Sequence, residues 1–380
     1  MKVILDGTAI SDKATGSSLY ALKLIDYLCR IDSSIEFEVL VLNSIKSSNA
    51  IYKFYYPNLI IKTVNVPSIG PIRDFIFNLK STSWINTSIY HCLNTNYPIT
   101  VNPIEKGIVT IHDLKYINIP AYFGRFGHLK SNYLKFIINN SIKFASHIIC
   151  VSESTKKDLI NFAGSNKNTI LDRVSVIYEA STLDKTKMLD YDHNHRYNIK
   201  KPYFLFVGEW RPHKNIEVML EAFYRFINLN NKNKHYSFVL LGSKHRSFSS
   251  KLEILNKLKK NCVLIDHLPS GALRKLYNDA FALINVSHYE GFGLPVVEAM
   301  QENIPVIVSN ASSLPELVGD PRFMVDPNKP EDLTNIMNKF VLDNEFYNSA
   351  IANSSQRKKL FSWALTAKKT LEIYRRVYTN

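Results

Sequence analysis

Glycine and cysteine are both scarce in this chain, which has 13 glycines and four cysteines among 380 residues. The cysteines contain no Cys-x-x-Cys pair and no zinc-finger spacing, so we expect free thiols in a reducing compartment. They are Cys29, Cys92, Cys150 and Cys262. No Gly-x-Gly-x-x-Gly follows any candidate strand, which argues against an NAD-dependent dehydrogenase.

Long hydrophobic runs are also missing. No apolar run approaches the roughly 18 residues that a membrane-crossing helix needs. The apolar run before Asp6 has three residues, far too few for a signal peptide. We therefore expect a cytoplasmic protein, working either free or at the cytoplasmic face of a membrane.

Acidic residues are in the minority, with 33 Asp and Glu against 47 Lys and Arg, giving a formal net charge of +14. Such an excess favours an anionic partner, although a solvated basic surface without a dedicated partner is the alternative. Most basic residues are lysines interleaved with Asn and Ile, and no RNA-recognition signature occurs. Nucleic acid is therefore disfavoured relative to a phosphorylated metabolite or a membrane surface.

A chain of this length is too long for one core, so two domains are expected. Two successive series of short apolar strands alternate with helical periods, a pattern typical of parallel sheets covered on both faces. The first series runs from Val3–Asp6 to Val174–Ile177, and the second from Phe204–Val207 to Val306–Val308. We predict a first domain over residues 1–182, a polar linker over 183–201 and a second domain over 202–363.

The stretch "NVSHYEGFGLPVVEAM" (Asn285–Met300) combines a strand end, a glycine-rich loop and a helix start. Gly291 and Gly293 allow close backbone approach to a ligand, and Pro295 suits a first helical turn. The helix amides form an anion site suited to phosphate. Glu290 and Glu298 flank it, and carboxylates accept hydrogen bonds from vicinal diols, which suggests a sugar nucleotide. On spacing alone, the favoured interpretation is that Glu290 is a surface loop residue and Glu298 an ordinary early-helix acid, because isolated acids in first turns are common.

Part of this stretch, "EGFGLPVVEAM", resembles the E-x7-E signature of the retaining glycosyltransferases of family 4, also called glycosyl transferases group 1. Five further segments resemble landmarks of that family, in the same order along the chain. They are "VTIHDL", "ASHIICVSESTKKDL", "FVGEWRPHKNIEVMLEAF", "IPVIVSNASSLPELVGD" and "FSWALTAKKTLEIYRRV". The resemblance implies an α/β fold of the GT-B type, with two doubly wound Rossmann-like domains facing an interdomain cleft. The final helix, at about 364–380, is expected to pack back on the first domain.

The resemblance also implies roles for residues of the second domain. Glu298 should bind the donor ribose, and Glu290 should contact the transferred sugar near the reacting carbon. Lys214 should neutralise the diphosphate, which agrees with its place at a helix entry after a strand. Many members carry an arginine near this lysine, whereas this chain has Glu209 and His213, so Arg211 is the candidate second cation. The amides expected to line the donor are those of Gly291, Phe292, Gly293 and Leu294.

In the first domain, the resemblance places His112 near the donor sugar and the acceptor, as a catalytic candidate. Gly16 stands where the family usually has paired glycines close to the diphosphate, and Asn94, with Asn96, is a candidate for the acceptor pocket. No metal or other cofactor is expected. The chain's Asp-x-Asp, Asp190 to Asp192, lies in the linker without a strand to hold it, and metal binding needs rigid ligands.

The implied activity is retaining transfer of a hexose from a nucleotide-diphosphate sugar to a hydroxyl of a saccharide or lipid-linked saccharide. GDP-mannose is preferred over a UDP-sugar, and surface polysaccharide or lipopolysaccharide O-antigen biosynthesis is the expected setting. A sugar-nucleotide epimerase of the same architecture and a non-catalytic sugar-nucleotide-binding subunit are the alternatives.

The segment "GRFGHLKSNYLKFIINNSIKF" places four cations among apolar residues at helical spacing. They are Arg125, Lys130, Lys135 and Lys143. Such a helix could rest on an anionic membrane surface. The alternative is an ordinary amphipathic helix packed on the first sheet.

Overall fold

The computed structural model describes residues 1–13, 15–67, 88–98, 104–121, 127–183, 193–244, 252–268 and 271–379. The chain forms two compact units. Unit 1 comprises Met1–Pro120, Arg125–Ala180 and Ser362–Asn380, and unit 2 comprises Ala121–Gly124 and Ser181–Phe361. Arg125 and the Asp190–Asp192 segment lie outside the described residues, as does much of the predicted linker.

Unit 1 is built on a seven-stranded parallel sheet with the strand order β3-β2-β1-β4-β5-β6-β7. Its central strands are buried along their whole length, because helices cover both faces of a parallel sheet. The strands are β1 (Lys2–Asp6), β2 (Glu36–Leu42), β3 (Leu59–Val64), β4 (Ile89–Cys92), β5 (Gly107–Ile111), β6 (His147–Cys150) and β7 (Val174–Val176).

The helices of unit 1 include the last one in the chain, Trp363–Thr379, which packs on the first, Gly16–Ile31. It buries an apolar face, and the hydroxyl of its Tyr374 lies 2.6 Å from His91 Nδ1 on β4. This confirms the predicted return of the final helix. Among the described residues, unit 1 also has the α-helices Lys115–Asn118, Gly127–Phe144 and Glu153–Ala163, with 3-10 turns at Ala50–Lys53, Gly164–Thr169 and Leu171–Arg173.

Unit 2 contains a six-stranded parallel sheet with the order β10-β9-β8-β11-β12-β13. From β8 the chain moves outward to β9 and β10, and β11 then lies on the other side of β8. The strands are β8 (Tyr203–Val207), β9 (Ser237–Leu241), β10 (Cys262–Ile265), β11 (Ala282–Asn285), β12 (Val306–Ser309) and β13 (Met324–Val325). This order creates a topological switch point between β8 and β11.

The helices of unit 2 follow its strands in the usual α/β alternation. They are His193–Tyr197, Ile216–Leu229, Leu252–Lys257, Ala272–Asn278, Leu294–Gln301, Leu314–Val318, Pro330–Leu342 and Asn344–Arg357. Among the described residues of unit 2, 3-10 turns occur at Pro212–Lys214, Asn231–His235, Pro321–Phe323 and Lys358–Leu360. Over the described ranges of both units, no helix is long and apolar enough to cross a bilayer.

One asparagine holds the loops at the switch point together. Asn215 follows the turn after β8 and adopts a left-handed backbone with φ of 59°. Its Nδ2 donates to the carbonyl of Val286, 3.0 Å away, and to that of Pro327, 2.6 Å away. Asparagine is one of the few residues that tolerates this conformation, and here its side chain also joins three loops.

We predict that Asn215→Gly lowers the free energy of unfolding by about 2 kcal/mol, because glycine keeps the backbone conformation but leaves two buried carbonyls without this donor. Urea denaturation measures the change. Asn303 is the matched control, since it has φ of 59° and an exposed side-chain contact to Lys358. Asn303→Gly should change the unfolding free energy by less than about 0.5 kcal/mol; equal losses in both variants would contradict the role of the Asn215 amide.

Candidate functional site

Two loops meet at the switch point of unit 2. The 208–215 loop follows β8 and the 286–293 loop follows β11, and these strands are hydrogen-bonded neighbours. In open α/β sheets, ligands bind outside the carboxyl ends of the strands at this position, because the two loops diverge from it. The carbonyl of His213 accepts a hydrogen bond from the His288 amide at 2.8 Å, which joins the two loops directly.

The 286–293 loop ends at a helix N-terminus, as the glycine and proline pattern predicts. Gly293 is the N-cap residue with φ of 117°, and the helix Leu294–Gln301 has Pro295 in its first turn. A Cβ on Gly293 would lie 2.9 Å from Leu317 Cδ1, so both the backbone angle and the packing require glycine here. The helix dipole gives this loop a partial positive charge, which favours a bound anion.

Lys214 and Glu290 form a close ion pair where the two loops meet. Lys214 Nζ donates to Glu290 Oε1 at 2.6 Å and to Oε2 at 2.7 Å, and the side chains are only 18% and 10% exposed. Ser287 Oγ donates to the same carboxylate at 2.8 Å. Burial acts to raise the pKa of Glu290, but the Lys214 charge and these hydrogen bonds outweigh it and hold the pKa below its ordinary value. Glu290 is therefore a carboxylate near neutral pH.

Glu298 lies in the second turn of the same helix and is almost fully buried. Tyr277 donates its hydroxyl to Glu298 Oε2 at 2.9 Å, and Thr182 donates to Oε1. Neither partner is a cation. Burial raises the pKa of Glu298, and these hydrogen bonds only partly oppose the rise. The two acids therefore differ. Lys214 stabilises the ionised form of Glu290, whereas the ionised form of Glu298 would be stabilised by further hydroxyl donors.

Arg211 lies in the same loop as Lys214 but is turned to a different acid. Its Nε donates to Glu209 Oε2 at 2.7 Å, and both side chains are substantially exposed. The structure thus brings Lys214 and Glu290 into contact and places Glu298 in the helix that follows the 286–293 loop, while the Arg211 guanidinium bonds to Glu209.

His112 lies in unit 1 at the end of β5. Its Nδ1 lies 2.9 Å from Glu179 Oε1 and its Nε2 lies 3.0 Å from the Leu93 carbonyl. Both neighbours are acceptors, so both ring nitrogens must donate, which requires the imidazolium form. Burial acts to lower the pKa of His112, but Glu179 outweighs it and the pKa is raised. Tyr20 also contacts the ring edge-on, with centroids 4.7 Å apart.

Gly16 and Asn94 also belong to unit 1. Gly16 is exposed and begins the helix Gly16–Ile31, with Thr15 as its N-cap residue. Asn94 is buried, and its Oδ1 accepts a hydrogen bond from the Asn96 amide at 2.7 Å. That contact is a local turn bond, which is sufficient to explain an asparagine after a strand.

Sequence reasoning missed several residues that hold the site. Tyr277 and Thr182 are the partners of Glu298, Glu179 is the partner of His112, and Ser287 is a second donor to Glu290. Only Ser287 lies near its partner in the sequence, so the others offer no local pattern. Within the part of the chain that the structure describes, no group of three or more His, Cys, Asp or Glu side chains is arranged to hold a metal ion.

Comparison with known proteins gives this geometry a context. The family model "Glycosyl transferases group 1" matches residues 190–357. The O-antigen chain mannosyltransferase B of Escherichia coli is 26% identical over 292 residues, covering 76% of this chain and 74% of that protein. The O-antigen chain mannosyltransferase RfbU of Salmonella typhimurium strain LT2 is 23% identical over 338 residues, covering 86% and 87%.

Solved structures match both units. Sucrose-phosphate synthase from Thermosynechococcus elongatus superposes with a TM-score of 0.73 at 16% identity, covering 100% of this chain and 99% of that one. HepE from Anabaena, solved in complex with UDP and glucose, superposes with a TM-score of 0.71 at 15% identity, covering 99% and 100%. The fold is therefore GT-B, and the predicted fold class is confirmed.

The two acids should respond to pH in opposite directions. Glu290 has a lowered pKa, so its stabilising effect is present above the ordinary pKa of about 4.3 and is lost as the pH falls through its folded value. Glu298 has a raised pKa, so its contribution is fully present below the ordinary value and is lost as the pH rises through its folded value.

We therefore expect the unfolding free energy of Glu290→Gln to fall further below that of wild type as the pH rises from about 3.5 to 7. Over the same range, the unfolding free energy of Glu298→Gln should rise relative to that of wild type. Urea denaturation at several pH values measures both trends, and each variant is the control for the other. Parallel pH trends in the two variants would show that the electrostatic environments are not as described.

Proposed function

We propose that this chain, a glycosyltransferase carrying a glycosyl transferases group 1 domain over residues 190–357, transfers mannose from GDP-mannose with retention of configuration. The acceptor we propose is a hydroxyl of a saccharide or lipid-linked saccharide in O-antigen or related polysaccharide biosynthesis. Both reported sequence relatives are O-antigen mannosyltransferases, which supports the sugar and the setting. A UDP-sugar is the second candidate donor, supported by the HepE complex with UDP and glucose.

The observation that carries the proposal is the group formed by Lys214, Glu290 and the N-terminus of the helix Leu294–Gln301. A nucleoside diphosphate leaving group develops negative charge as the glycosidic bond breaks. A buried ammonium and a helix N-terminus stabilise that charge without reorganising, which lowers the barrier. These two elements lie at the switch point, where ligands of such sheets bind.

The two carboxylates serve the polyol parts of the donor. We assign Glu298 to the ribose hydroxyls, because additional donors would relieve the cost of its buried charge. We assign Glu290 to hydroxyls of the transferred sugar, with its charge placed beside an oxocarbenium-like centre. The pair is not proposed as a glycosidase pair, since a nucleoside diphosphate leaves without a protonated acid.

His112 remains a proposed contact for the donor sugar or the acceptor. Its imidazolium form suits a hydrogen bond to a hydroxyl oxygen, although a ligand using Nε2 would have to replace the Leu93 carbonyl. Gly16, Asn94 and Arg211 are weaker proposals for the acceptor or diphosphate region. We propose no metal or other cofactor, because Lys214 and the helix N-terminus can supply the positive charge.

Lys214→Ala should lower kcat by about 10²- to 10³-fold, the range found when one donor to a developing anion is removed. The measurement is nucleotide release from GDP-mannose, with and without a saccharide or lipid-linked saccharide acceptor. Lys329→Ala is the control, since Lys329 is 57% exposed and its ion pair with Asp326 is long, at 3.7 Å. Equal rates in both variants would remove Lys214 from the mechanism.

Glu290→Gln should bind GDP more tightly than wild type. The affinity should rise about tenfold for each 1.4 kcal/mol of binding free energy that the substitution recovers. In the wild-type chain, GDP must draw Lys214 from Glu290 and leave a buried carboxylate uncompensated, whereas glutamine removes that cost. Calorimetric titration measures the affinity. Glu302→Gln is the control because Glu302 is similarly buried and paired with Arg274 at 2.9 Å. Weaker GDP binding by Glu290→Gln would contradict the competition for Lys214.

We also propose that the helix Gly127–Phe144 contacts an anionic membrane surface. It packs Ile137, Ile138 and Ile142 into unit 1, as an amphipathic helix should. Yet Leu129 and Phe136, two helical turns apart, are 69% and 57% exposed. Exposed lysines lie beside them, at Lys130, Lys135 and Lys143. Apolar side chains flanked by lysines are what an interfacial helix presents to anionic headgroups.

Replacing both Leu129 and Phe136 with serine should reduce co-sedimentation with phosphatidylglycerol-containing vesicles several-fold while leaving GDP affinity unchanged. Leu342→Ser is the control, because Leu342 is 59% exposed but lies in unit 2. High salt should weaken wild-type binding, since part of the attraction is electrostatic. Wild-type chain that stays in the supernatant at low and high salt would disprove the membrane contact.

A further inference from the structure

Three serine hydroxyls hold the backbone of the 286–293 loop, one from the last residue of β12 and two from the segment after it. Ser309 Oγ donates to the Ser287 carbonyl at 2.5 Å. Ser313 Oγ donates to the Phe292 carbonyl at 2.6 Å and to the Glu290 carbonyl at 3.1 Å. Ser312 makes two bonds to one residue: its Oγ donates to the Glu290 carbonyl at 2.6 Å and accepts from the Glu290 amide at 3.2 Å.

Ser312 differs from the other two in its backbone. Its φ is 55°, in the left-handed region that glycine adopts freely and that other side chains disfavour. Strain of this kind persists when the surroundings fix it, and it gathers at functional sites. A turn that only had to reverse the chain would be served better by glycine. Unlike the exposed Asn303, Ser312 uses its hydroxyl in two bonds to the Glu290 backbone, so this hydroxyl is the feature to test.

The two bonds from Ser312 act on the residue whose side chain meets Lys214. By engaging both the N–H and the C=O of Glu290, the hydroxyl fixes the peptide planes on either side of that residue. Those planes set the direction in which the carboxylate leaves the backbone. Both bonds of Ser312 go to the Glu290 backbone and not to its carboxylate or to Lys214. Its effect on them is therefore indirect.

We propose that Ser312 is a positioning residue for transfer, holding Glu290 where its carboxylate faces the transferred sugar. The inference rests on the proposed function, because it assumes that Glu290 contacts the donor sugar. Displacing a catalytic group by about 1 Å can cost about 10²-fold in rate, so loss of both bonds should be visible in kcat. The nucleoside diphosphate is held by Lys214 and Glu298, so its affinity should not depend on Ser312.

The test compares Ser312→Gly with Ser312→Ala. Both remove the hydroxyl, but only glycine relieves the left-handed backbone, so Ser312→Gly should be more stable than Ser312→Ala and unfold at a higher urea concentration. If the hydroxyl positions Glu290, both variants should nevertheless lose kcat to a similar extent, about tenfold or more, with GDP affinity unchanged. Both should also lose most of the wild-type preference for GDP-mannose over GDP in calorimetric titration. Asn303→Gly, at another left-handed position of unit 2, should keep wild-type kcat.

Two results would overturn the inference. One is wild-type kcat in Ser312→Gly, and the other is a kcat that follows stability, with Ser312→Gly active and Ser312→Ala inactive. Failure of the proposed function itself looks different, because wild-type chain would then bind neither GDP-mannose nor a UDP-sugar and would release no nucleotide in the same assays.

Discussion

The ion pair between Lys214 and Glu290 is the interaction on which the rest of the site depends. A buried pair of opposite charges is costly to desolvate and contributes little to stability by itself, whereas removing one partner leaves a buried charge and is strongly destabilising. In this chain the pair joins the loops after β8 and β11, at the topological switch point of the unit 2 sheet. A functional reason for the pair is that a ligand would replace each partner, with a diphosphate binding Lys214 and a polyol binding Glu290.

The surroundings of the pair are organised to keep that exchange possible. Asn215 ties the loop of Lys214 to the carbonyls of Val286 and Pro327, and the serines after β12 hold the loop of Glu290. The backbone is thus fixed while the two charged side chains remain able to change partners. This arrangement fits a site that binds an anion and stabilises more negative charge during the reaction, because preorganised groups pay no reorganisation at that moment.

Much of the fold and part of the site could be predicted from the sequence. Short apolar strands alternating with helices indicated parallel sheets, and the glycines and proline around residue 294 indicated the start of a helix. Both are local patterns, which depend on residues close together in the sequence and can therefore be identified without the structure. The glycosyltransferase assignment, predicted from several ordered motifs, is confirmed, while the retaining mechanism and the donor stay proposals.

The contacts that tune the site could not be predicted in the same way. Tyr277 and Thr182 are 21 and 116 residues from Glu298, and Ser312 is 22 residues from Glu290. No local period links such pairs, because the tertiary fold brings them together. Arg211 shows the converse, a residue that was expected to bind the donor but has a different partner in the structure. The family resemblance suggested Arg211 as a second cation for the diphosphate, but Glu209 engages its guanidinium in this structure.

The most direct measurement is a crystal structure of the chain with GDP-mannose or a non-transferable analogue bound. The account predicts diphosphate oxygens within hydrogen-bond distance of Lys214 Nζ and facing the amides before the helix Leu294–Gln301, with the bond between Lys214 and Glu290 lengthened or broken. A donor bound elsewhere, with that ion pair intact, would contradict it.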